Sequence, residues 1–202
     1  MSTFRPRSLW PVLLLLGILL LGVSAAAEPL SLDVSPANSA INFSIGHLGG
    51  MSVVKGKFGD FCGKISFDPA QPALSSVLWK VQAVSVFTGN RSRDKDLRSE
   101  EYLDASHYPT LSFVSQSVSS LDASHLQVEG LLTIHGIIHS ITFPALVLPG
   151  EFSCELHLRR TDYGMPRDIF LAGDEVQIHL NVRTQPQPQP AAPASPATKE
   201  SI

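Results

Sequence analysis

Residues 173–183 read GDEVQIHLNVR, and from residue 175 onward apolar and polar side chains alternate strictly. Val176, Ile178, Leu180 and Val182 fall on one side, while polar or charged residues fall on the other. A period of two is typical of a β-strand with one buried face. This stretch therefore predicts a strand that presents one face to a core and the other to water.

The same alternation recurs through most of the chain, and the segments end at clusters of Gly, Pro, Asp or Ser, as strands do. Eight strand-like segments can be read: SAINFSIGHL, VVKGKFGDFCGKISFD, SSVLWKVQAVSVF, TLSFVSQSV, HLQVEGLLTIHG, HSITFPALVLPG, EFSCELHLRR and GDEVQIHLNVR. Consecutive strands with short turns predict an all-β fold, either an up-and-down barrel or a two-sheet sandwich. The length of several strands favours an eight-stranded antiparallel β-barrel, which can enclose one small ligand.

The first 27 residues have the layout of a secretory signal peptide. Arg5 and Arg7 precede an apolar run at residues 10–23, and three alanines follow at residues 25–27. The run is shorter than the roughly 20 residues that span a bilayer. We expect cleavage, a periplasmic or secreted protein and no stable membrane span afterwards; retention of the segment as an anchor is the alternative.

The other end, residues 185–202, is rich in Pro, Gln, Ala and Ser and carries almost no bulky apolar side chain. Such a segment buries too little surface to offset its ordering entropy, so a disordered tail is expected. Residues 28–184 then form one domain, which is long enough for a sizeable core.

The charge balance argues against a nucleic-acid partner. The formal net charge is -3, and without the two arginines of the predicted signal peptide the 15 basic residues fall to 13 against 18 acidic ones. Proteins that bind nucleic acid need a basic face.

The most charged stretch, TGNRSRDKDLRSEE at residues 88–101, interrupts the strand pattern between the third and fourth strands. Ser92 is a candidate N-cap, and Asp94 and Arg98 have the i,i+4 spacing of an ion pair on a helix. The stretch therefore predicts one short helix that runs to about Leu103. Since its charges cancel, we expect most of them to pair with one another at the rim of the barrel.

Four motifs occur in a fixed order: HLGGMSVVKGKFGDFCGKISFD, TGNRSRDKDLRSEEYLDASHYPTLSFVS, LLTIHGIIHSITFP and RRTDYGM. Together they resemble the YceI-like family of lipocalin-like periplasmic barrels that bind polyisoprenoid lipids. The resemblance implies an isoprenoid or other long-chain lipid as partner, such as an isoprenoid quinone or a polyprenyl phosphate, and no other cofactor. An exported structural or adhesion β-domain with a self-filled core is the alternative, and the sequence leaves a homodimer as an open expectation.

The sequence departs from the family pattern near the expected headgroup site. Asp96 stands where the family usually has His, and Leu103 takes the place of the second of two aromatic residues, after Tyr102. The hydroxyl-bearing position after the HG turn is Ile138. These changes concern headgroup preference rather than the fold.

Ten residues are candidates for contact with a ligand. Aromatic side chains suit the tail, whereas histidine, arginine and neighbouring polar groups suit an anionic head, because arginine binds phosphate or carboxylate bidentately. The candidates are Phe43, Trp79 and Phe113 for the tail, and His47, Asn90, Arg93, Asp94, Arg98, Arg160 and Tyr163 for the rim. A structural role is the alternative for His47 and for the rim charges.

Catalysis and metal binding find little support in the sequence. There is no nucleophile elbow in the mature chain and no usual spacing of zinc ligands, and His135 and His139 flank a turn. Neither a catalytic nor a metal site is therefore predicted. Cys62 and Cys154 lie out of phase on their strands, so we expect them to point to opposite sides of the sheet; pairing of the two stays open.

Overall fold

The computed structural model of the protein describes residues 28–47, 51–166 and 172–184. The predicted signal peptide of residues 1–27 and the predicted Pro-rich tail of residues 185–202 lie outside the described residues. Within the described part of the chain, no helix has the length and apolar character needed to cross a membrane.

The described residues form one antiparallel sheet of eleven strands in the order β1-β4-β5-β7-β8-β9-β10-β11-β2-β3-β6. The strands are β1 (Leu30–Val34), β2 (Ser39–His47), β3 (Ser52–Phe58), β4 (Phe61–Phe67), β5 (Ser76–Gln82), β6 (Val86–Phe87), β7 (Thr110–Ser120), β8 (His125–Ile134), β9 (Ile137–Leu148), β10 (Glu151–Arg159) and β11 (Ala172–Arg183).

The sheet is strongly curled, as the place of β5 and β6 shows. β6 ends the sheet on one side, whereas β5 is third from the other side. Only the 3-10 turn Ala83–Ser85 separates the two strands along the chain. The sheet must therefore curl until its ends approach each other, which gives a barrel-like fold. Curling also protects the edges of the sheet from pairing with other chains.

The strand count differs from the eight predicted, for three local reasons. β1 was not predicted, although its five residues pair with β4. The second predicted strand divides at residues 59–60, where a Gly-Asp pair turns the chain; β3 then pairs with β2 and β4 with β5. The third predicted strand divides at the 3-10 turn Ala83–Ser85. At both interruptions the inward-facing residues change phase, but apolar residues lie on both sides, so each pair of strands was predicted as one.

One helix, α1 (Arg91–Arg98), lies between β6 and β7. Its N-cap is Asn90, whose side-chain oxygen accepts from the backbone N–H groups of Ser92 and Arg93 at 3.1 and 3.2 Å. The predicted cap at Ser92 is therefore wrong, and the helix ends at Arg98 rather than near Leu103. An Asn cap of this kind stabilises a helix by about 1 kcal/mol.

The β8–β9 hairpin carries two histidine side chains that contact the 3-10 turn Arg160–Tyr163. Its two-residue turn, His135–Gly136, has positive φ at both positions, 50° and 72°, as tight hairpin turns require. The His135 ring contacts the carbonyl oxygen of Tyr163 at 3.0 Å, and the His139 ring contacts that of Asp162 at 3.0 Å. Both histidines thus hold the hairpin against the 3-10 turn Arg160–Tyr163.

Buried side chains form two clusters in the interior. The larger includes Trp79, Phe113 and Phe143, and the smaller surrounds Ala83 and Tyr163. Inward residues alternate with exposed ones along the strands, as the period of two predicted. Burial of this apolar surface is the main term that stabilises the fold.

Candidate functional site

The first cavity lies inside the barrel and has a volume of about 140 Å³. Apolar side chains form nearly all of its wall, among them Trp79, Phe113, Phe143 and Leu156. The rings of Phe113 and Phe143 lie 5.4 Å apart, and those of Phe61 and Trp79 lie 5.9 Å apart. An apolar cavity of about 150 Å³ holds a molecule the size of benzene. We call this space the inner cavity.

The second cavity, with a volume of about 350 Å³, lies beside α1 and the 3-10 turn Arg160–Tyr163. Its wall combines apolar side chains with several polar ones. We call it the outer cavity, because the exposed Asp96 is part of its wall and brings it to the surface. The polar and tyrosine side chains in its wall are His47, Arg93, Asp96, Tyr102, Arg160 and Tyr163.

The two cavities share part of their walls. Phe58, Leu111, Ile134 and Ile178 line both of them. These shared side chains are all apolar. The arrangement suits a ligand with a long apolar tail and one polar end.

Phe43 is fixed in the outer cavity by a glycine on the neighbouring strand. Phe43 pairs with Gly56 across β2 and β3, and a Cβ at Gly56 would collide with the phenylalanine ring. The missing side chain therefore lets the ring lie flat over β3. Its centroid is 5.6 Å from that of Phe58, which lines both cavities.

Three side chains at the start of α1 converge on one another. The buried carboxylate of Asp94 accepts from the backbone N–H and hydroxyl of Thr88 at 2.8 and 2.6 Å. Arg93 donates to the same hydroxyl at 2.9 Å and to the Thr88 carbonyl oxygen at 3.3 Å. Asp94 thus fixes Thr88, and Thr88 orients Arg93 beside the outer cavity.

Arg98 has a different environment from the predicted one. It donates to the carbonyl oxygens of Val84 and Val86, both at 2.7 Å, and not to Asp94. Among the described residues, no ion pair joins the charges of residues 91–101 to one another. The expectation that these charges pair mutually is therefore wrong, because backbone and threonine acceptors lie closer.

Arg160 is buried in the wall of the outer cavity. It donates to the carbonyl oxygen of Gly173 at 2.7 Å and to that of Pro166. Next to it, Tyr163 is buried too, and burial with the nearby Asp162 charge raises the pKa of Tyr163 to about 12. The Tyr163 hydroxyl therefore stays protonated and can donate a hydrogen bond to a ligand at neutral pH.

Asp174 holds the segment that carries Arg160. Its carboxylate accepts from the backbone N–H and hydroxyl of Thr161 at 3.1 and 2.8 Å, and from Arg159 at 3.2 Å. Burial acts to raise the pKa of Asp174, but the contacts with Thr161 and Arg159 together hold it below its usual value. The anionic form is therefore the one that fixes this side of the site.

The structure brings seven of the ten candidate residues to the cavities and leaves three outside them. Trp79 and Phe113 line the inner cavity, and Phe43, His47, Arg93, Arg160 and Tyr163 line the outer one. Neither wall includes Asn90, Asp94 or Arg98. Asn90 caps α1, Asp94 binds Thr88, and Arg98 binds backbone oxygens, so all three shape the rim rather than line the cavity.

Other lining residues were not among the candidates. Asp96, Tyr102 and Leu103 belong to the outer cavity, and two of them stand where the sequence departs from the family pattern. The departures from the family pattern at Asp96 and Leu103 were a signal in the sequence that could have identified these two residues as part of the cavity wall. Phe58, Leu97 and Met165 gave no such signal, because their position depends on how distant segments pack.

The two cysteines are free. Cys62 is exposed on the outside of β4, whereas Cys154 is in the wall of the inner cavity, so they point to opposite sides of the sheet as their phase predicted. Burial raises the pKa of the Cys154 thiol to about 12. A neutral, apolar thiol suits the wall of a hydrocarbon cavity.

Histidine and carboxylate side chains cluster on the outside of β10 and β11. His157 contacts Glu175 at 2.6 Å and Glu155 at 3.0 Å, and hydrogen bonds to these carboxylates raise the pKa of His157. Across the described ranges, no three His, Cys, Asp or Glu side chains are arranged to hold a metal ion.

These features define a class of protein: a curled antiparallel β-barrel with an apolar interior and a polar group at one cavity. A family model described as the YceI-like domain matches residues 32–184. Protein YceI of Escherichia coli O157:H7 is 32% identical over 169 residues, which cover 79% of this chain and 87% of that protein. The chain belongs to the YceI-like family.

Two further comparisons give a second relative and a neighbour in fold. A UPF0312 protein of Vibrio cholerae is 41% identical over 113 residues, which cover 56% of this chain and 59% of that protein. Among solved structures, a polyisoprenoid binding domain from Saccharophagus degradans shares the fold, with a TM-score of 0.54, 15% identity, and coverage of 76% of this chain and 98% of that domain.

Proposed function

We propose that the protein is an exported carrier that binds a long apolar lipid, an isoprenoid with one polar end, inside the barrel. The observation that carries the proposal is the pair of adjoining cavities. The inner one has an apolar wall suited to a tail, and the outer one has Arg93 and Tyr163 in its wall as polar groups for a head. The neighbour from Saccharophagus degradans, described as polyisoprenoid-binding, supports the ligand class.

The energetics favour the tail as the main source of affinity. Each buried CH₂ contributes roughly 0.8 kcal/mol, so an isoprene unit contributes roughly 3–4 kcal/mol before ordering costs. A hydrogen bond from a charged group contributes about 1.5–3 kcal/mol. A tail of several units therefore outweighs any one contact at the outer cavity, which instead selects the head.

The interior space speaks against the alternative of a structural domain whose core is filled by its own side chains. A well-packed core leaves few voids larger than a water molecule. Here the inner cavity has a volume of about 140 Å³ and adjoins the outer cavity of about 350 Å³. We propose binding rather than catalysis as the activity, and an isoprenoid quinone or a polyprenyl phosphate as the ligand.

Fluorescence of Trp79 tests the proposal, because this side chain lines the inner cavity. Titration with a long isoprenoid alcohol, or with its phosphate, should change the tryptophan emission until the binding site is saturated. Trp79→Phe should abolish the change while calorimetry still detects binding. If neither ligand binds the wild type by either method, the carrier proposal falls.

Export is the second part of the proposal, and the N-terminal segment motivates it. N-terminal sequencing of protein from an envelope fraction should begin within residues 26–28. Recovery of an intact Met1 from the membrane would contradict cleavage.

A further inference from the structure

The outward side of β3 carries both apolar and basic side chains. Residues alternate along this strand: Val54 and Phe58 point into the outer cavity, so Val53, Lys55 and Lys57 point outward. Large apolar side chains at one edge of the cavity therefore face water, together with two lysines.

These apolar side chains are largely exposed to water. Met51 is 88% exposed, Val53 and Val84 are each 59% exposed, and Phe87 is 52% exposed. β6 pairs with β3 so that Phe87 lies opposite Lys57, whose ammonium group is 5.9 Å from the centre of the ring. We call the surface formed by Met51, Val53, Lys55, Lys57, Val84 and Phe87 the β3 face. Contiguous exposed apolar surface rimmed by polar groups marks a place of interaction.

The charge of the β3 face has one sign. The adjacent strands β2, β3 and β6 contain no acidic residue, while β3 contributes two lysines. Aromatic and aliphatic side chains mixed with lysine are the composition of surfaces that lie in the headgroup region of anionic bilayers.

From this complementarity, and from the shared strand, we propose that the β3 face docks the barrel on an anionic lipid bilayer. Val54 and Phe58 line the outer cavity from the same strand that presents Val53 and Lys55 to the bilayer. Docking therefore places the outer cavity one strand away from the lipid surface. The purpose of docking rests on the proposed carrier function, whereas the docking itself does not.

A second exposed row serves as the matched control. Leu78, Val114 and Leu131 lie opposite one another on β5, β7 and β8, and Lys64 is opposite Leu78. This row covers the outside of the inner cavity, away from α1. The double variants V53S/K55Q and V114S/K64Q remove the same side-chain chemistry from two exposed places.

The test is sedimentation of the exported protein with vesicles of phosphatidylcholine and phosphatidylglycerol at low salt. Each lysine near an anionic surface strengthens binding about fivefold. With the loss of the valine, V53S/K55Q should bind about thirtyfold more weakly, and added salt should weaken the wild type. V114S/K64Q should bind as the wild type does.

Three results would overturn the proposal: no vesicle binding by the wild type, no loss in V53S/K55Q, or an equal loss in V114S/K64Q. The first would leave the β3 face to a protein partner. Titration of the variants with an isoprenoid through Trp79 separates the two proposals, because the substituted side chains point outward. Intact isoprenoid binding with no vesicle binding rejects docking alone, whereas vesicle binding without isoprenoid binding rejects the carrier function alone.

Discussion

Filling the inner cavity should shorten the lipid tail that the barrel accepts. Ala145 on β9 is in the wall of this cavity, between Leu126 on β8 and Cys154 on β10. The cavity of about 140 Å³ is close to the roughly 150 Å³ that holds benzene. The ring introduced by Ala145→Phe should therefore occupy most of the space.

The expected loss of affinity follows from the displaced hydrocarbon. If the ring excludes roughly one isoprene unit, the loss is roughly 3–4 kcal/mol, or roughly a hundred- to a thousandfold in Kd. A short isoprenoid that occupies only the outer cavity should lose far less. The difference between long and short ligands is the diagnostic quantity.

Isothermal titration calorimetry with a long and a short isoprenoid measures both losses. Ala123→Phe makes the same substitution at an exposed turn and should leave both affinities unchanged. The melting temperature of each variant shows whether the fold survives, since overpacking a core costs about 1–3 kcal/mol. An Ala145→Phe protein that is folded and binds the long ligand normally would refute the placement of the tail.

Three further predictions concern the rim and the thiols. Arg98→Ala should lower the free energy of unfolding, measured by urea denaturation, by about 1.5–3 kcal/mol, because two backbone oxygens lose a charged donor. Isoprenoid affinity should stay unchanged, and a loss of affinity without a loss of stability would contradict the structural role. With Ellman's reagent at pH 8, Cys62 should react promptly and Cys154 only slowly, since burial raises the pKa of Cys154 to about 12; two equally fast thiols would be inconsistent with a buried cavity wall. The pKa of Asp174 is below its usual 3.8, so the carboxylate stabilises the fold above pH 3.8, and this contribution disappears as the pH falls through the lower folded pKa. Thermal melts from pH 6 to pH 2 should show that Asp174→Asn is less stable than the wild type at neutral pH and loses less stability on acidification.

Strands with one buried face were predictable from the sequence. The points where one strand ends and the next begins with a different partner were not. Residues 175–182 alternate without interruption, and the structure has them within β11. In contrast, the inward-facing residues change phase at residues 59–60, between Phe58 and Phe61, where the chain turns from β3 to β4. The period of two describes which face a side chain occupies, but not which neighbour a strand pairs with.

The rim shows the same limit for side chains. Arg93 and Arg160 were expected near a ligand, and both line the outer cavity, whereas Arg98 does not. The i,i+4 spacing indicated Asp94 as the partner of Arg98. In the structure, Asp94 instead accepts hydrogen bonds from Thr88, and Arg98 donates to backbone carbonyl oxygens. Those acceptors belong to the segment before the helix, and only the folded chain brings them close.

Native mass spectrometry of the exported protein, purified without detergent, tests the presence of lipid in the barrel most directly. A fraction of the wild type should carry the added mass of an isoprenoid lipid, and Ala123→Phe should match it. Ala145→Phe should carry none or a shorter-tailed species. If the wild type shows only the mass of the bare chain and gains none when a long isoprenoid is added, the barrel does not bind such a lipid.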